Sequence, residues 1–168
     1  MRSKWAPTRD IERALVLLTP DNELVLRVQL ATGLRVGDAV ALKTADLERS
    51  NRFTIREQKT GKPRRITIPV ELRDACLRRA GTIYVFPHRY SGRRHRTPSA
   101  VYKDIRRASE IASKGKRRMT THTARKWWAV DLFKKTGDIK KVQALMNHRD
   151  QAVTMLYALA DQIGKDGR

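Results

Sequence analysis

One short segment with the period of a β-hairpin interrupts a chain whose other apolar residues follow helical spacing. Apolar and polar residues alternate over residues 53–56 and again over 66–68. Between them lies Lys-Thr-Gly-Lys-Pro at 59–63, and its glycine and proline are typical of a turn. We therefore expect two antiparallel strands here. With helical segments on both sides, the sequence predicts an α+β fold that is mostly α with a small antiparallel β-sheet.

Capping residues and the spacing of apolar side chains predict where the helices begin and end. Asp21 or Asn22 would cap the second helix, and Gly33 would end it. Thr97-Pro98 is a start signal, because a cap followed by proline is favoured at the first helical position. The predicted helices are 9–18, 21–32, 36–43, the helical stretch 70–77, 98–112, 120 or 121 to 136, 139–146 and 151–162.

Three further stretches are assigned from composition. Residues 83–86 are apolar and precede Pro87, which predicts a third strand. Residues 89–96 and 113–118 are predicted to be loops, and neither contains an acidic residue. Segments with so many cations repel themselves unless a negative partner lies alongside.

The net charge of the chain points to a polyanionic partner. Its 168 residues fit one domain, and 37 Lys and Arg against 17 Asp and Glu leave a formal net charge of +20 at pH 7. Ordinary globular surfaces mix the two signs more evenly. Nucleic acid is the commonest partner for such a surplus, so the composition by itself predicts a DNA-binding protein.

Other features exclude whole classes of protein. The chain has one cysteine, Cys76, so no internal disulfide can form, and its helical context without a base predicts a packed side chain. No apolar run approaches the roughly 18 residues that a membrane span requires. Residues 1–5 lead into no signal-like segment. We expect a soluble, cytoplasmic protein with no membrane partner.

Four separate segments supply groups suited to holding and attacking a phosphodiester. They are Ala-Thr-Gly-Leu-Arg-Val-Gly-Asp at 31–38, the turn at 59–62, His-Thr-Ala-Arg at 122–125, and Asn-His at 147–148 followed by a tyrosine. Arginine can grip a phosphate with two parallel hydrogen bonds, and a cluster of cations favours the phenolate form of tyrosine. The candidate catalytic residues are Arg35, Lys59, His122, Arg125, His148 and Tyr157.

Some of these assignments have alternatives. Lys62 lies three residues after Lys59 and could take its place. His122 and Arg125 are three residues apart, so they share a helix face that can meet one phosphate. The same pair could be mistaken for a metal site, but no second ligand follows at metal spacing, and we predict none. Asp38 is expected to brace its neighbours by pairing one helical turn away.

The order and spacing of the segments resemble the tyrosine recombinases, the phage-integrase family of DNA strand-exchange enzymes. The resemblance implies the fold of a DNA breaking-rejoining catalytic domain and a metal-free reaction without a cofactor. In that reaction Tyr157 attacks the scissile phosphate, forms a 3′-phosphotyrosyl link and releases a 5′-hydroxyl. Arg35 and Arg125 would hold the phosphate, and Lys59 would protonate the leaving oxygen. The sequence departs from the family at Asn147, where glycine is usual.

The resemblance also implies a site-specific recombinase, or integrase, acting on double-stranded DNA. Such a protein would self-associate on DNA during strand exchange and work at the nucleoid in a bacterial, phage or plasmid setting. Residues 1–168 would form a single catalytic domain, with the N-terminal core-binding domain of the family absent. The predicted DNA-binding residues are Lys62, Arg64, Arg93, Arg94, Arg96, Lys116, Arg117 and Arg118.

Two other functions are compatible with the same residues. One is a catalytically inactive or regulatory DNA-binding protein on the same scaffold, although the intact set of six candidate residues argues against it. The other is a type IB topoisomerase-like activity that nicks and reseals DNA without exchanging partners.

Overall fold

The architecture is that of a helical bundle with two small hairpins. The computed structural model describes residues 8–116 and 118–146, so the predictions for Arg117, His148, Tyr157 and the helix at 151–162 lie outside the described residues. The described elements are α1 (Thr8–Val16), α2 (Pro20–Thr32), α3 (Val36–Val40), α4 (Thr44–Arg49), β1 (Arg52–Arg56), β2 (Pro63–Thr67), α5 (Val70–Leu77), β3 (Pro87–His88), β4 (Ser91–His95), α6 (Pro98–Ala112), α7 (Thr121–Thr136) and α8 (Ile139–Met146).

Helix α2 is the centre of the core. It packs against α3, α5, α6 and α7, and its residues Leu24, Val25 and Val28 are buried as their shared spacing predicts. The cluster continues through Ile105 of α6 and Phe86, both almost fully buried. This placement fixes the C-terminal end of α2 next to the start of α7, where the candidate site lies.

The start of α2 differs from the prediction. Thr19 is the N-cap and Pro20 occupies the first turn, because proline lacks the amide hydrogen that this position would leave unpaired. Asp21 and Asn22 are used instead in tertiary contacts. The Asn22 Nδ2 donates to Asp104 Oδ2 at 2.8 Å, and Asp21 accepts from arginines outside the helix.

The ends of the later helices follow their capping signals. The Thr97 hydroxyl accepts the Ala100 amide at the start of α6. At the start of α7, Thr120 and Thr123 form a reciprocal capping box, and Gly137 ends that helix with a positive φ of 64°. The predicted boundaries of α6, α7 and α8 are thereby confirmed.

The predicted hairpin is present, with β1 and β2 antiparallel. The register pairs Phe53 with Ile66 and Ile55 with Arg64. Ile66 and Arg64 both lie on the buried face of β2, so the alternation of the strand points an arginine into the protein. That inward arginine contributes directly to the candidate site.

Residues 80–96 differ from the prediction. No strand forms at 83–86; Tyr84 makes only an isolated bridge to Lys43, while Val85 and Phe86 enter the core. The stretch 89–96 is not a loop as predicted, because β3 and β4 pair there as a second antiparallel hairpin. Helix α4 was not predicted, since one buried leucine, Leu47, gives it no visible periodicity.

The environment of the cysteine and the lengths of the helices bear on two predictions from composition. Cys76 is fully buried, as predicted, and burial raises the pKa of its thiol to about 12, so it stays protonated. Within residues 8–116 and 118–146, no helix has the length and apolarity needed to cross a bilayer.

Candidate active site

Three of the four motif segments meet at one cavity of about 230 Å³. The start of α3, the turn between β1 and β2, and the first turns of α7 each contribute to its wall. These segments are far apart in sequence, so their meeting is the first structural support for a shared role. The lining residues that can carry charge are Arg35, Asp38, Lys59, His122 and Arg125.

Arg35 reaches the cavity from the N-cap of α3. Its side chain is 15% exposed, and its Nη1 donates to the Glu57 Oε2 at 3.1 Å. Its other terminal nitrogen, Nη2, is buried and has no hydrogen-bond partner among the described residues. A buried donor of this kind is satisfied when an acceptor enters the cavity.

Arg125 reaches the cavity from α7 and is 2% exposed. Its Nη1 donates to the Gly33 carbonyl at 2.7 Å and its Nη2 to the Met146 carbonyl at 2.8 Å. Its Nε is buried without a partner in the described part of the chain. Burial, followed by the nearby Arg35 and Arg64, lowers the pKa of Arg125 to about 10, so it remains charged at neutral pH.

His122 lies one helical turn before Arg125 and lines the same cavity. Although its side chain is exposed to solvent, partial burial lowers its pKa, and the cations Arg125, Lys126 and Arg35 lower it further. The imidazole is therefore neutral at pH 7, and one ring nitrogen can accept a proton.

Lys59, rather than Lys62, contributes to the wall of this cavity. Both side chains are exposed and belong to the same turn. The geometry favours Lys59 for the chemical role, and that role stays a prediction.

Asp38 differs from its predicted pairing. Its Oδ1 accepts the backbone amide of Gln58 at 2.9 Å, so it ties α3 to the β1–β2 turn rather than to a residue one turn away. It is 5% exposed. The acid therefore sets the distance between Arg35 and the turn that carries Lys59.

Glu57 is a site residue that sequence reasoning missed. Its carboxylate is fully buried and accepts from Arg35, Arg64 and the hydroxyl of Thr60. A signal was available, because Glu57 is the only acid in residues 52–68 and stands two residues before Lys59.

Arg64 does not fit its predicted DNA contact. It is 5% exposed, donates to the Thr32 carbonyl at 2.6 Å and pairs with Glu57 at 3.2 Å. Burial lowers its pKa, and Glu57 opposes that effect. The reason is the hairpin register, which turns this arginine toward the end of α2. Arg64 braces the site instead of lining a DNA surface.

The other predicted DNA-binding residues differ in their exposure and in whether they form ion pairs. Arg96 pairs with Asp21 and is partly buried. Arg118 pairs with Glu110 at 2.7 Å but is more than half exposed. Those predicted residues that lie exposed at the surface are Lys62, Arg93, Arg94, Lys116 and Arg118.

Several known proteins are similar to this chain in sequence. The sequence profile of the Phage integrase family matches residues 11–162. "Probable integrase/recombinase YoeC" of Bacillus subtilis (strain 168) is 27% identical over 134 residues, covering 78% of this chain and 73% of that protein. "Tyrosine recombinase XerA" of Pyrococcus furiosus is 28% identical over 143 residues, covering 81% of this chain and 49% of that protein.

The fold is also similar to solved structures. XerH bound to a palindromic difH substrate gives a TM-score of 0.74 at 18% identity, covering 98% of this chain and 52% of that one. A lambda integrase (75–356) dimer bound to a COC′ core site gives 0.71 at 20% identity, covering 89% of this chain and 59% of that one. The chain thus spans about half the length of several of the proteins it matches.

Proposed function

The chain belongs to the Phage integrase family, and from that premise we propose that it cuts and rejoins DNA at specific sites as a tyrosine recombinase. The proposed intermediate is a 3′-phosphotyrosyl link to Tyr157. The candidate catalytic residues are those that the sequence predicts: Arg35, Lys59, His122, Arg125, His148 and Tyr157.

One observation carries the proposal. Arg35 Nη2 and Arg125 Nε are both buried, both lack a partner among the described residues, and both belong to side chains lining one cavity. An unpaired buried donor costs about 1–3 kcal/mol. Two such donors, against one unpaired acceptor, Asp38 Oδ2, among the described residues of the same cavity wall, favour an anion with several acceptor oxygens. A phosphodiester has that chemistry, and arginine suits it through planar, charge-assisted hydrogen bonds.

The proposed reaction assigns one role to each candidate residue. The phenolic oxygen of Tyr157 attacks the phosphorus atom, and the bond between phosphorus and the 5′ oxygen breaks. Lys59 gives a proton to that departing 5′ oxygen. His122 is neutral and accepts the phenolic proton. The arginines stabilise the negative charge of the phosphorane. A 5′-hydroxyl from a partner strand reverses the sequence, and the covalent link conserves the bond energy.

The net charge of the chain and the exposed position of two arginines support DNA as the partner. The net charge is +20, and exposed arginines of β4, Arg93 and Arg94, add a basic surface. We infer self-association on DNA during strand exchange, since a neighbouring fold is a lambda integrase dimer on its core site. A cytoplasmic role at the nucleoid follows from a DNA substrate.

A suicide substrate tests the proposal. The chain is incubated, with a metal chelator, with nicked duplexes from a randomised pool, and the products are separated on a denaturing gel. We expect a covalent protein–DNA adduct, because a short cleaved end diffuses away and prevents religation. Binding of the pool without any adduct would contradict the proposal and favour a non-catalytic DNA-binding protein.

A further inference from the structure

We propose that Glu57 is the positioning residue that couples the phosphate-binding Arg35 to the turn carrying Lys59. This inference rests on the proposed function. It assigns to one buried carboxylate the task of setting two catalytic groups that lie on different elements, α3 and the β1–β2 turn.

The carboxylate of Glu57 contacts both elements. Its Oε2 accepts both Arg35 Nη1 at 3.1 Å and Thr60 Oγ1 at 2.9 Å, while its Oε1 accepts Arg64 Nη1 at 3.2 Å. The side chain of Glu57 is 0% exposed. A single oxygen therefore joins Arg35 to the residue next to Lys59 along the chain.

The guanidinium of Arg35 is oriented by this contact. A guanidinium is planar and rigid, so fixing one terminal nitrogen also fixes the direction of the others. Glu57 holds Nη1 of Arg35, and Nη2 is left buried and without a partner among the described residues. The carboxylate thereby leaves the second nitrogen to an incoming phosphate and limits how far it can rotate away.

The turn that carries Lys59 is closed by the same residue. The Glu57 amide donates to the Lys62 carbonyl at 3.0 Å, and the Glu57 carbonyl accepts the Gly61 amide at 2.8 Å. The Thr60 hydroxyl then closes the turn onto the carboxylate. Lys59 lies inside this closed turn and lines the cavity. Its backbone position therefore depends on the residue that also holds Arg35.

Charge gives the carboxylate a second effect. Arg35, Arg64 and Arg125 act on one another as mutually repelling cations, and Glu57 is a negative charge that opposes this repulsion. Glu57→Gln keeps the shape of the side chain and removes that charge. We expect Glu57→Gln to slow single-turnover cleavage about 10- to 100-fold and to leave DNA affinity unchanged. The magnitude is taken by analogy from metal sites, where losing a residue that orients a ligand has an effect of this size.

A double-mutant cycle separates positioning from general destabilisation. If Glu57 acts through Arg35, adding Glu57→Gln to Arg35→Ala will slow cleavage much less than Glu57→Gln slows the wild type. Multiplicative defects would overturn the proposal, as would cleavage by Glu57→Gln at the wild-type rate. Asp21→Asn is the matched control, because Asp21 is also shared by two arginines, Arg79 and Arg96, outside the cavity. Its cleavage rate should stay unchanged, and an equal defect there would contradict the proposal.

Thr60→Val keeps the inference testable if Glu57→Gln does not fold. It removes one hydroxyl from the turn and leaves both ion pairs of Glu57 in place. We expect slower cleavage that recovers when the leaving 5′ oxygen is replaced by sulfur, since the lysine is then not needed. An equal defect on both substrates, or none, would overturn the coupling. Failure of the wild type to form an adduct would instead contradict the proposed function, so the two results are distinguishable.

Discussion

Arg35 and Arg125 hold their guanidinium groups in different ways. Arg35 donates to a carboxylate, that of Glu57, whereas Arg125 donates to two backbone carbonyls, those of Gly33 and Met146. Loss of Arg125 therefore takes a donor from two backbone carbonyls at once and leaves the Gly33 carbonyl only the 3.4 Å contact with Arg64. Loss of Arg35 takes one donor from a carboxylate that Arg64 still pairs with at 3.2 Å. The two arginines should contribute similarly to the reaction and differently to folding.

Alanine substitutions test that distinction. Arg35→Ala and Arg125→Ala should each slow cleavage by roughly 100-fold or more, by analogy with loss of one oxyanion donor. Only Arg125→Ala should also lower the melting temperature clearly, since unsatisfied buried groups cost about 1–3 kcal/mol each. Single-turnover cleavage and thermal melting measure the two effects. Arg27→Ala is the control, because Arg27 is a half-exposed arginine of α2 that pairs with Glu23 and does not line the cavity. Near wild-type cleavage by either cavity variant would remove that arginine from the proposed phosphate site.

Lys59 can be assigned by changing the leaving atom. Lys59→Ala should cleave a 5′-oxygen substrate slowly and a 5′-sulfur substrate at near the wild-type rate, because a thiolate leaves without a proton donor. Lys62→Ala should show neither effect, since Lys62 does not line the cavity. If the Lys59 variant were equally slow on both substrates, another group would be the general acid.

The residues that line the cavity were predictable where a local motif contained them and not where tertiary contacts placed them. Arg35, His122 and Arg125 were predicted from local patterns, and the structure brings all three to one cavity. Arg64 and Arg93 look alike in sequence, yet Arg64 is buried and Arg93 is exposed. The difference comes from the strand register and from the carbonyls at the end of α2, which no local pattern contains.

At the scale of elements, the end of α2 is the junction on which the site depends. Gly33 has a φ of 66°, and a Cβ there would lie 2.3 Å from Cε3 of Trp128. Its carbonyl accepts from Arg125 at 2.7 Å and from Arg64 at 3.4 Å. One glycine therefore sets the packing of α7 on α2 and the position of Arg125.

Gly33→Ala should destabilise the fold and disturb the site together. The left-handed conformation costs about 1–2 kcal/mol for a residue with a Cβ, and the overlap with the Trp128 ring adds to it. Gly115→Ala is the matched control, because Gly115 also has a positive φ, of 78°, but a Cβ there would have no described atom within 4 Å. Chemical denaturation should show a clearly larger loss for Gly33→Ala. Equal losses in the free energy of unfolding would mean that the Trp128 ring moves aside without an energetic cost.

Capping signals and strict periods predicted several elements, although the cap of α2 was misassigned to Asp21 or Asn22. The caps of α6 and α7 and the β1–β2 hairpin were found in this way. The stretch 83–86 was predicted to be a strand and is not one, because its pairing with residues 42–44 is limited to one isolated bridge. Only Val85 and Phe86 of this stretch enter the core. The second hairpin was missed, since its charged strands show no apolar alternation.

At the scale of the whole molecule, charge dominates encounter with DNA. With a net charge of +20, binding to duplex DNA should be steeply salt-dependent, each phosphate contact adding about 0.9 to the slope of log K against log salt. Because this attraction does not depend on base identity, site and scrambled duplexes should bind with similar affinity. Arg93→Ala with Arg94→Ala should reduce the slope by about 2 if both meet phosphates.

Fluorescence anisotropy at several salt concentrations measures that slope for both duplexes. Replacing Glu23 by glutamine, which alters a helix ion pair of α2, provides a variant that should not lower the slope. Tight binding of the site duplex, with a strong preference for it and a flat salt response, would contradict this prediction and show that this chain reads sequence by itself.

In the proposed reaction, the phosphate held in the cavity becomes linked to Tyr157. Mass spectrometry of the peptide that remains attached to DNA after suicide-substrate trapping and protease digestion identifies the linked residue. We expect a phosphotyrosyl modification at Tyr157 and no adduct with Tyr157→Phe, although that variant should still bind DNA. Attachment at Tyr84, Tyr90 or Tyr102, or an undiminished adduct with Tyr157→Phe, would contradict it.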